Sequence, residues 1–171
     1  MVDSLNLTLV LGHAASGKSA WAEAEALRRD GAAIYVATAQ AGDGEMRAKI
    51  ARHATRRGPE WSLVEEPFDL ASVCAAARPG DTVLIDCATL WLTNLAMERR
   101  DWEPEAETWI DAMAASGARF VVVSNDVGGG VTPDNAMARA FQRAQGALNQ
   151  RLAVTATRVV LVTAGLPQVL K

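Results

Sequence analysis

One short segment has the residue types and spacing of a phosphate-binding loop. It matches the pattern G-x-x-x-x-G-K-[ST], follows an apolar run and precedes a helix-like stretch, which is the context that this pattern requires. Small residues let backbone N–H groups surround phosphate oxygens, while the lysine reaches the β and γ phosphates and the hydroxyl after it can bind Mg²⁺. The alternative is a glycine-rich turn that binds nothing, but such a turn would need neither the lysine nor the hydroxyl. The segment consists of Gly12, His13, Ala14, Ala15, Ser16, Gly17, Lys18 and Ser19.

Asp86 is the candidate for a second nucleotide element, because it ends an apolar run at 82–85. Its carboxylate would face the same edge as the phosphate loop and, with Ser19, hold Mg²⁺ or its water shell. Apolar strands also end in Asp simply because the next residues turn or begin a helix. Asp86 is therefore a strong candidate only because the same chain also has the phosphate-binding loop. The segment 126–129 fits the D-x-x-G pattern of GTPases, but no N-K-x-D segment accompanies it.

His53 lies in a stretch, 45–57, whose apolar residues have helical spacing. At about 100° per residue it borders a cationic stripe made of Lys49, Arg52 and Arg56. Neighbouring cations disfavour the imidazolium form, so the ring would stay neutral and nucleophilic while they hold a polyphosphate. Its attack on a nucleoside triphosphate would form a covalent phosphoramidate. From periodicity alone, a half-buried histidine among solvated arginines is the simpler interpretation.

The elements that must position these residues alternate along the chain. Short runs rich in Val, Ile and Leu predict strands at 7–11, 33–37, 82–85, 120–123 and 159–162, and a weaker run at 62–64 suggests an edge strand. The predicted helices cover 18–29, 45–57, 70–77, 90–99, 105–115 and 135–155. This order predicts an α/β fold, a mostly parallel sheet with helices on both faces. Ligands bind at the carboxyl ends of such strands.

Length, composition and charge limit the classes of protein to which this chain can belong. The chain has 171 residues, 17 Lys plus Arg and 20 Asp plus Glu, a net charge of −3, so we expect one compact domain over 1–171. Without a strong positive field, a nucleic-acid or anionic-membrane binder is not expected. No run suggests a membrane span or signal peptide, and we therefore expect a cytoplasmic protein. Cys74 and Cys87 are interpreted as small core residues, and with two histidines no zinc-ligand spacing can be assembled.

Eight longer segments occur in an order that resembles a known family. The chain is similar in them to the bifunctional adenosylcobinamide kinases and adenosylcobinamide-phosphate guanylyltransferases of cobalamin biosynthesis, and the resemblance covers nearly the whole chain. The segments are GHAASGKSAWAE from Gly12, YVATA from Tyr35, GEMRAKIARHATRR from Gly44, W-x-x-V-E-E-P from Trp61, DCATLWLTNL from Asp86, VSNDVGGGVTPDNAMARAF from Val123, GALNQRLA from Gly146 and AGLPQVLK at the end.

The resemblance implies a fold, an activity and a nucleophile. It implies a RecA-like P-loop NTPase fold, a homo-oligomer that is often a trimer, and the conversion of adenosylcobinamide to its phosphate and then to adenosylcobinamide-GDP. The substrates and cofactors would be ATP or GTP with Mg²⁺. The guanylylated histidine of the family corresponds to His53, which reverses the simpler interpretation above. Lys18 would be the second catalytic residue.

The resemblance also implies a set of GTP contacts. Among them, Glu65 has a physical reason to select guanine, since a carboxylate accepts from N1–H and the exocyclic amine together, and adenine has no such donor pair. The alternative is an ordinary solvent-facing acid beside Pro67. The contacts implied are Thr38, Ala39, Gln40, Ala54, Thr55, Arg56, Arg57 and Glu65.

Some residues depart from the family pattern GGARSGKS and its later motifs. His13 and Ala15 replace a glycine and an arginine, Asp126 stands where Glu is usual, and Arg143 falls where an acid is usual. These changes concern the kinase step and the cobinamide pocket more than the GTP chemistry. Two rival functions therefore stay open at this point: a one-step small-molecule kinase in which His53 only contacts phosphate, and a nucleotide-switched binding module.

Overall fold

Twelve helices and strands alternate along residues 5–40 and 58–171, which are the residues that this computed structural model describes. The predicted helix over 45–57, and with it His53, lies outside the described residues. In chain order the elements are β1 Leu7–Gly12, α1 Lys18–Ala26, β2 Ala33–Ala37, β3 Trp61–Glu65, α2 Leu70–Ala76, β4 Thr82–Asp86, α3 Ala88–Met97, α4 Trp102–Ser116, β5 Arg119–Asn125, α5 Ala136–Thr155, β6 Arg158–Thr163 and β7 Leu166–Val169.

The seven strands form one sheet in the order β3-β2-β4-β5-β1-β6-β7. All neighbouring strands are parallel except β7, which runs antiparallel to β6. The apolar runs were predicted to form strands buried on both faces of the sheet. They are buried as predicted, because helices pack on both faces. The predicted α/β sheet is confirmed, and β3 is the edge strand that its weaker pattern suggested.

Each face of the sheet has its own hydrophobic core. On one face α2 to α5 cover strand residues such as Leu9, Ile85 and Phe120. On the other face Ala22 and Ala26 of α1 pack against a smaller group of valines and leucines of β1, β4, β5 and β6. Both cysteines are free thiols buried in these cores, as the sequence predicted.

The largest difference from the predicted elements is β7, which the sequence did not indicate. Its four side chains, Leu166 to Val169, are exposed and include Pro167, so no alternation of buried and exposed residues marks it. Backbone pairing with β6 holds it in place. Helix α4 begins three residues before its predicted start because Asp101 accepts a hydrogen bond from the Glu103 N–H and caps it. Among the described helices, none is long and apolar enough to cross a membrane.

Candidate active site

The phosphate loop leaves β1 at Gly12 and turns sharply into α1. A Cβ at Gly12 would overlap Ser16 Oγ and lie 2.7 Å from the Val162 carbonyl oxygen, so only glycine fits. The turn places Ala15 at φ 58° and Gly17 at φ 91°, a left-handed geometry that directs successive N–H groups toward one point. Ser16 Oγ is buried and has no hydrogen-bond partner among the described residues. An orphaned hydroxyl inside such a turn fits a phosphate oxygen.

Lys18 is the first residue of α1 and is 9% exposed. Its Nζ donates a hydrogen bond to the His13 carbonyl oxygen at 2.9 Å, which holds the ammonium over the loop. The same carbonyl accepts from the Ser16 N–H at 3.3 Å. Ser19, the predicted magnesium ligand, follows one residue later and is half-buried. The amino end of α1 adds positive potential, so this end of the helix favours an anion.

Two neighbouring segments support the phosphate loop from either side. Gly165, in the turn between β6 and β7, donates its N–H to the Ser16 carbonyl oxygen at 2.7 Å. On the other side, Asp126 donates its N–H to the Gly12 carbonyl oxygen at 3.1 Å. His13 Nδ1 lies 2.9 Å from the Asp126 carbonyl oxygen, and because a carbonyl only accepts, Nδ1 carries the proton in this contact. Sequence reasoning missed these supports, which join residues over 100 positions apart.

Asp86 ends β4, one strand away from β1 across β5. In the register of the sheet it lies opposite Val123, which in turn lies opposite Val10, two residues before the phosphate loop. Tyr35 donates its hydroxyl hydrogen to Asp86 Oδ2 at 2.7 Å and so orients the carboxylate. The carboxylate and the Ser19 hydroxyl are oxygen donors of the kind that Mg²⁺ prefers, and the residues present therefore fit this ion.

The thiol of the next residue, Cys87, is influenced electrostatically by both Asp86 and Lys18. Burial raises the pKa of its thiol to about 11, the Asp86 carboxylate raises it as well, and the Lys18 ammonium opposes the shift. The Lys18 ammonium and the Asp86 carboxylate, which were predicted to act together, therefore both influence the pKa of the Cys87 thiol. A thiol with so high a pKa stays protonated near neutral pH and is no nucleophile.

Thr38 follows β2 and is fully buried. Its Oγ1 donates to the Cys87 carbonyl oxygen and accepts from the Cys87 N–H, both at 2.8 Å. Asn94 of α3 donates to the Thr38 carbonyl oxygen at 2.8 Å. Thr38 therefore fixes the backbone just after Asp86, and direct contact of Thr38 with nucleotide stays a prediction. Tyr35 and Asn94 were not selected from the sequence, although both lie in the segments YVATA and DCATLWLTNL.

Glu65 lies far from the phosphate loop, next to the end of β2. It is exposed at the carboxyl end of the edge strand β3, opposite Ala37 of β2. Four strand spacings separate β3 from β1, a distance of about 19 Å. Its neighbour Glu66 accepts from the Phe68 and Asp69 N–H groups, each at 2.8 Å, and stabilises the turn that follows. The predicted contacts Ala39 and Gln40 are half-buried and exposed, and those over 54–57 lie outside the described residues.

Comparison with known proteins adds a family to this geometry. The family model CobU, described as cobinamide kinase / cobinamide phosphate guanyltransferase, matches residues 8–170. A Pseudomonas aeruginosa protein named bifunctional adenosylcobalamin biosynthesis protein CobP is 43% identical over 168 residues, 95% of this chain and 96% of that protein. A Salmonella typhimurium protein named bifunctional adenosylcobalamin biosynthesis protein CobU is 37% identical over 178 residues, 94% of this chain and 97% of that protein.

A solved structure gives the fold independently. The crystal structure of the RadB recombinase superposes with a TM-score of 0.53, 18% identity, and coverage of 91% of this chain and 73% of that one. At this identity the likeness concerns the fold alone. The fold is that of the RecA-like P-loop NTPases, as the resemblance implied.

Proposed function

Since the chain belongs to the family of cobinamide kinases and cobinamide phosphate guanyltransferases, we propose that it phosphorylates adenosylcobinamide and then transfers GMP from GTP to that phosphate. The product is adenosylcobinamide-GDP. The observation that carries the proposal is the phosphate loop, in which a buried Lys18 and an orphaned Ser16 hydroxyl face the same turn. Both steps are displacements at phosphorus, for which positioning and charge neutralisation supply most of the catalysis.

In the kinase step the acceptor alcohol attacks the γ-phosphorus, the bond to the β–γ bridging oxygen breaks, and the nucleoside diphosphate leaves. Lys18 and the N–H groups of the phosphate loop neutralise the charge that builds up on the transferred and departing oxygens. Ser19 and Asp86 would hold Mg²⁺, which would supply further charge neutralisation at the phosphates. Tyr35 holds the Asp86 carboxylate in one orientation. Because the loop contacts phosphates and not the base, ATP and GTP both serve as donors.

In the transferase step His53 attacks the α-phosphorus of GTP and pyrophosphate leaves. A phosphate oxygen of adenosylcobinamide phosphate then attacks the same phosphorus, the P–N bond breaks, and His53 is released. Lys18 neutralises the departing pyrophosphate, and the arginines at 56 and 57 hold the triphosphate. His53 and these arginines lie outside the described residues, so this step rests on the sequence pattern and on the family.

The location and assembly of the protein form a further part of the proposal. We place it in the cytoplasm, where its nucleotide substrates are available, and expect a homotrimer from the family resemblance. Sedimentation of the purified chain at several concentrations measures the assembly directly. A monomer at all concentrations would contradict the trimer and leave the chemistry unaffected.

The experiment that tests the function is an intact-mass measurement after incubation with GTP and Mg²⁺. We expect the mass of one GMP to be added, through a bond that is labile in acid and stable in base, because protonation of a phosphoramidate nitrogen breaks it readily. His53→Ala should abolish the adduct and leave nucleotide binding largely intact. His13→Ala is the matched control, since the other histidine lies inside the phosphate loop and should not carry GMP.

The rival functions give different results in the same experiment. Phosphorylation of cobinamide without any adduct would identify a one-step kinase. Partner binding that changes with nucleotide, without turnover of cobinamide, would identify a switch. Peptide mapping that finds GMP on His13 would leave the transfer chemistry in place but reassign the nucleophile.

A further inference from the structure

An apolar groove lies between α3 and the first half of α5, and Trp102, the first residue of α4, also lines it. Its cavity volume is about 510 Å³, which is within the range of small-molecule sites. The charged residue in its lining is Arg100, whose guanidinium is paired with Glu105. The residues that shape it are Leu92, Met97, Trp102, Met137, Phe141 and Ala144.

The groove lies at the edge of the sheet where ligands bind. In α5, Asn149 donates to the Asn125 carbonyl oxygen at the carboxyl end of β5. Because a helix rises about 1.5 Å per residue, Ala136 lies about 20 Å along the axis from Asn149. The later part of α5 approaches the opposite edge of the sheet, where Thr157 donates its N–H to the Leu7 carbonyl oxygen. The first turns of α5 therefore project beyond the carboxyl ends of the strands.

Helix α3 forms the other wall and lies across the same carboxyl ends. Thr89, near its start, accepts from the Asn125 N–H at 2.8 Å. Asn94, further along, donates to the carbonyl oxygens of Thr38 and Pro67, which follow β2 and β3. The groove is thus built on the same edge of the sheet as the phosphate loop.

A single loop separates the groove from the phosphate site. Gln142, next to the groove residue Phe141, donates to the Val127 carbonyl oxygen at 3.0 Å. One residue earlier, the Asp126 carbonyl oxygen accepts from His13 of the phosphate loop at 2.9 Å. The loop over 126–134 therefore contacts the phosphate loop at one end and leads directly into the groove residue Asn135 at the other.

The surface of the groove suits one part of one substrate. Met97 and Met137 are 77% and 78% exposed. Contact of these apolar side chains with water is unfavourable unless a ligand covers them. Methionine side chains adapt to an irregular apolar surface. The nucleotides present phosphates, ribose and a polar base edge, whereas a corrin ring is a wide, flat macrocycle with methyl groups on its faces and amides around its rim.

We propose that this groove binds the corrin ring of the acceptor, so that the alcohol-bearing side chain of the corrinoid reaches past the 126–134 loop to the phosphate site. The proposal rests on the function proposed above, and it adds the place where the acceptor is recognised. The ring covers the exposed methionines, and its rim amides lie near two polar residues of the lining, Thr93 and Asn135.

The test uses variants that put a charge under the ring. Met137→Glu is suited to this, since an acid in the first turn of α5 is compatible with the helix dipole. Met97→Lys places a cation at the end of α3 for the same reason. Val154→Lys is the matched control, because Val154 is 77% exposed on the same helix but outside the groove, and a cation suits the last turn of a helix.

We expect both groove variants to raise the KM for adenosylcobinamide and for its phosphate by about tenfold or more, because a charge is desolvated against an apolar ring. Equilibrium dialysis of the corrinoid without nucleotide should show the same loss of affinity. Formation of the GMP adduct from GTP alone needs no corrinoid and should stay within about twofold of wild type. The Val154→Lys control should match wild type in every assay.

Two results would overturn the proposal. One is an unchanged corrinoid KM in Met137→Glu and Met97→Lys while wild type turns over cobinamide, which would leave the proposed function intact. The other is a smaller sedimentation mass in the groove variants with corrinoid KM values that follow it, which would show that a second copy of the chain covers the groove. If wild type neither binds nor phosphorylates cobinamide, the proposed function fails first and the groove proposal with it.

Discussion

Helix α1 has a charged side chain near each end, Lys18 at its first residue and Glu25 one residue before its last. At the carboxyl end, Glu25 accepts from Arg119 at 2.7 Å and is also paired with Arg28 at 3.1 Å and Arg158 at 3.5 Å. At the amino end, Lys18 contacts a neutral carbonyl and the buried Ser16 hydroxyl has no partner among the described residues. The carboxyl end is held by ion pairs within the fold, and the amino end presents a turn whose Ser16 hydroxyl fits a ligand.

The two ends of this short helix therefore have different roles: the carboxyl end contributes to stability and the amino end to function. The Arg119 and Glu25 side chains are each 9% exposed, so loss of one partner leaves a buried charge. Burial lowers the pKa of the Arg119 guanidinium, while the Glu25 carboxylate opposes that shift. Changes at the carboxyl end should therefore affect unfolding, and changes at the amino end should affect rates.

The largest expected effect is on stability and comes from Arg119→Met. The variant leaves the Glu25 carboxylate buried with its two weaker partners, and the free energy of unfolding should fall by about 3 kcal/mol. Urea unfolding followed by circular dichroism measures this. Glu107→Gln, which removes an exposed ion pair with Arg151 at 3.4 Å, is the control and should change stability by less than about 1 kcal/mol. The double variant Glu25→Met, Arg119→Met should recover most of the loss, and an unstable double variant would contradict this account.

The next largest effect is on catalysis and comes from Lys18→Ala. Loss of a positioned cation should lower the rates of phosphorylation and of GMP adduct formation by a factor that corresponds to about 3 kcal/mol, on the order of a hundredfold. The unfolding midpoint should stay near that of wild type. Lys171→Ala, which removes an exposed ammonium bonded to the Ala153 and Val154 carbonyls, is the control for charge. Near-normal rates in both steps would place the nucleotide site elsewhere.

A smaller effect tests whether recognition of the base lies outside α1 altogether. Glu65→Gln should narrow the preference of adduct formation for GTP over ATP by about tenfold to a hundredfold, mainly by weakening GTP, because an unsatisfied charged acceptor is costly. Adduct formation is measured with each nucleotide. Glu66→Gln is the matched control, since Glu66 serves the turn after β3. An unchanged preference in Glu65→Gln would assign base recognition to another group.

The smallest effect concerns the contact between His13 and Asp126. His13→Ala removes one hydrogen bond beside the phosphate loop and should raise the KM for nucleotide by about two- to tenfold, with the adduct still formed. His13→Asn keeps a donor close to the position of Nδ1 and should restore most of the affinity. Steady-state kinetics with both variants measures the difference. Equal KM values for alanine and asparagine would mean that this bond has no part in nucleotide binding.

The phosphate loop and five of the strands could be predicted because their signals are local. The loop is a contiguous pattern, and strands buried on both faces form uninterrupted apolar runs. The supports of the loop could not be predicted, because Gly165 and Asp126 reach it only through the order of strands in the sheet. The pair of Glu25 and Arg119 spans 94 positions and has no local pattern.

The groove shows the same limit for a binding surface. Met97 and Met137 read as ordinary helix residues, and only the packing of α3 beside α5 brings them to one cavity. Thr38 shows the limit for a single residue. Its position at a strand end was predicted correctly, but its hydroxyl bonds the backbone of Cys87, a contact that depends on the register of β2 and β4.

The place of β1 in the sheet has a consequence for biosynthesis. β1 is made before the other strands of the sheet, but its neighbours are β5 and β6, made more than 100 residues later. Gly165, which braces the phosphate loop, is made later still. Because contacts between distant segments form late in folding, the phosphate loop gains these supports only after the β6–β7 hairpin has been made. A nascent chain without this hairpin therefore lacks the hydrogen bond that Gly165 donates to the phosphate loop.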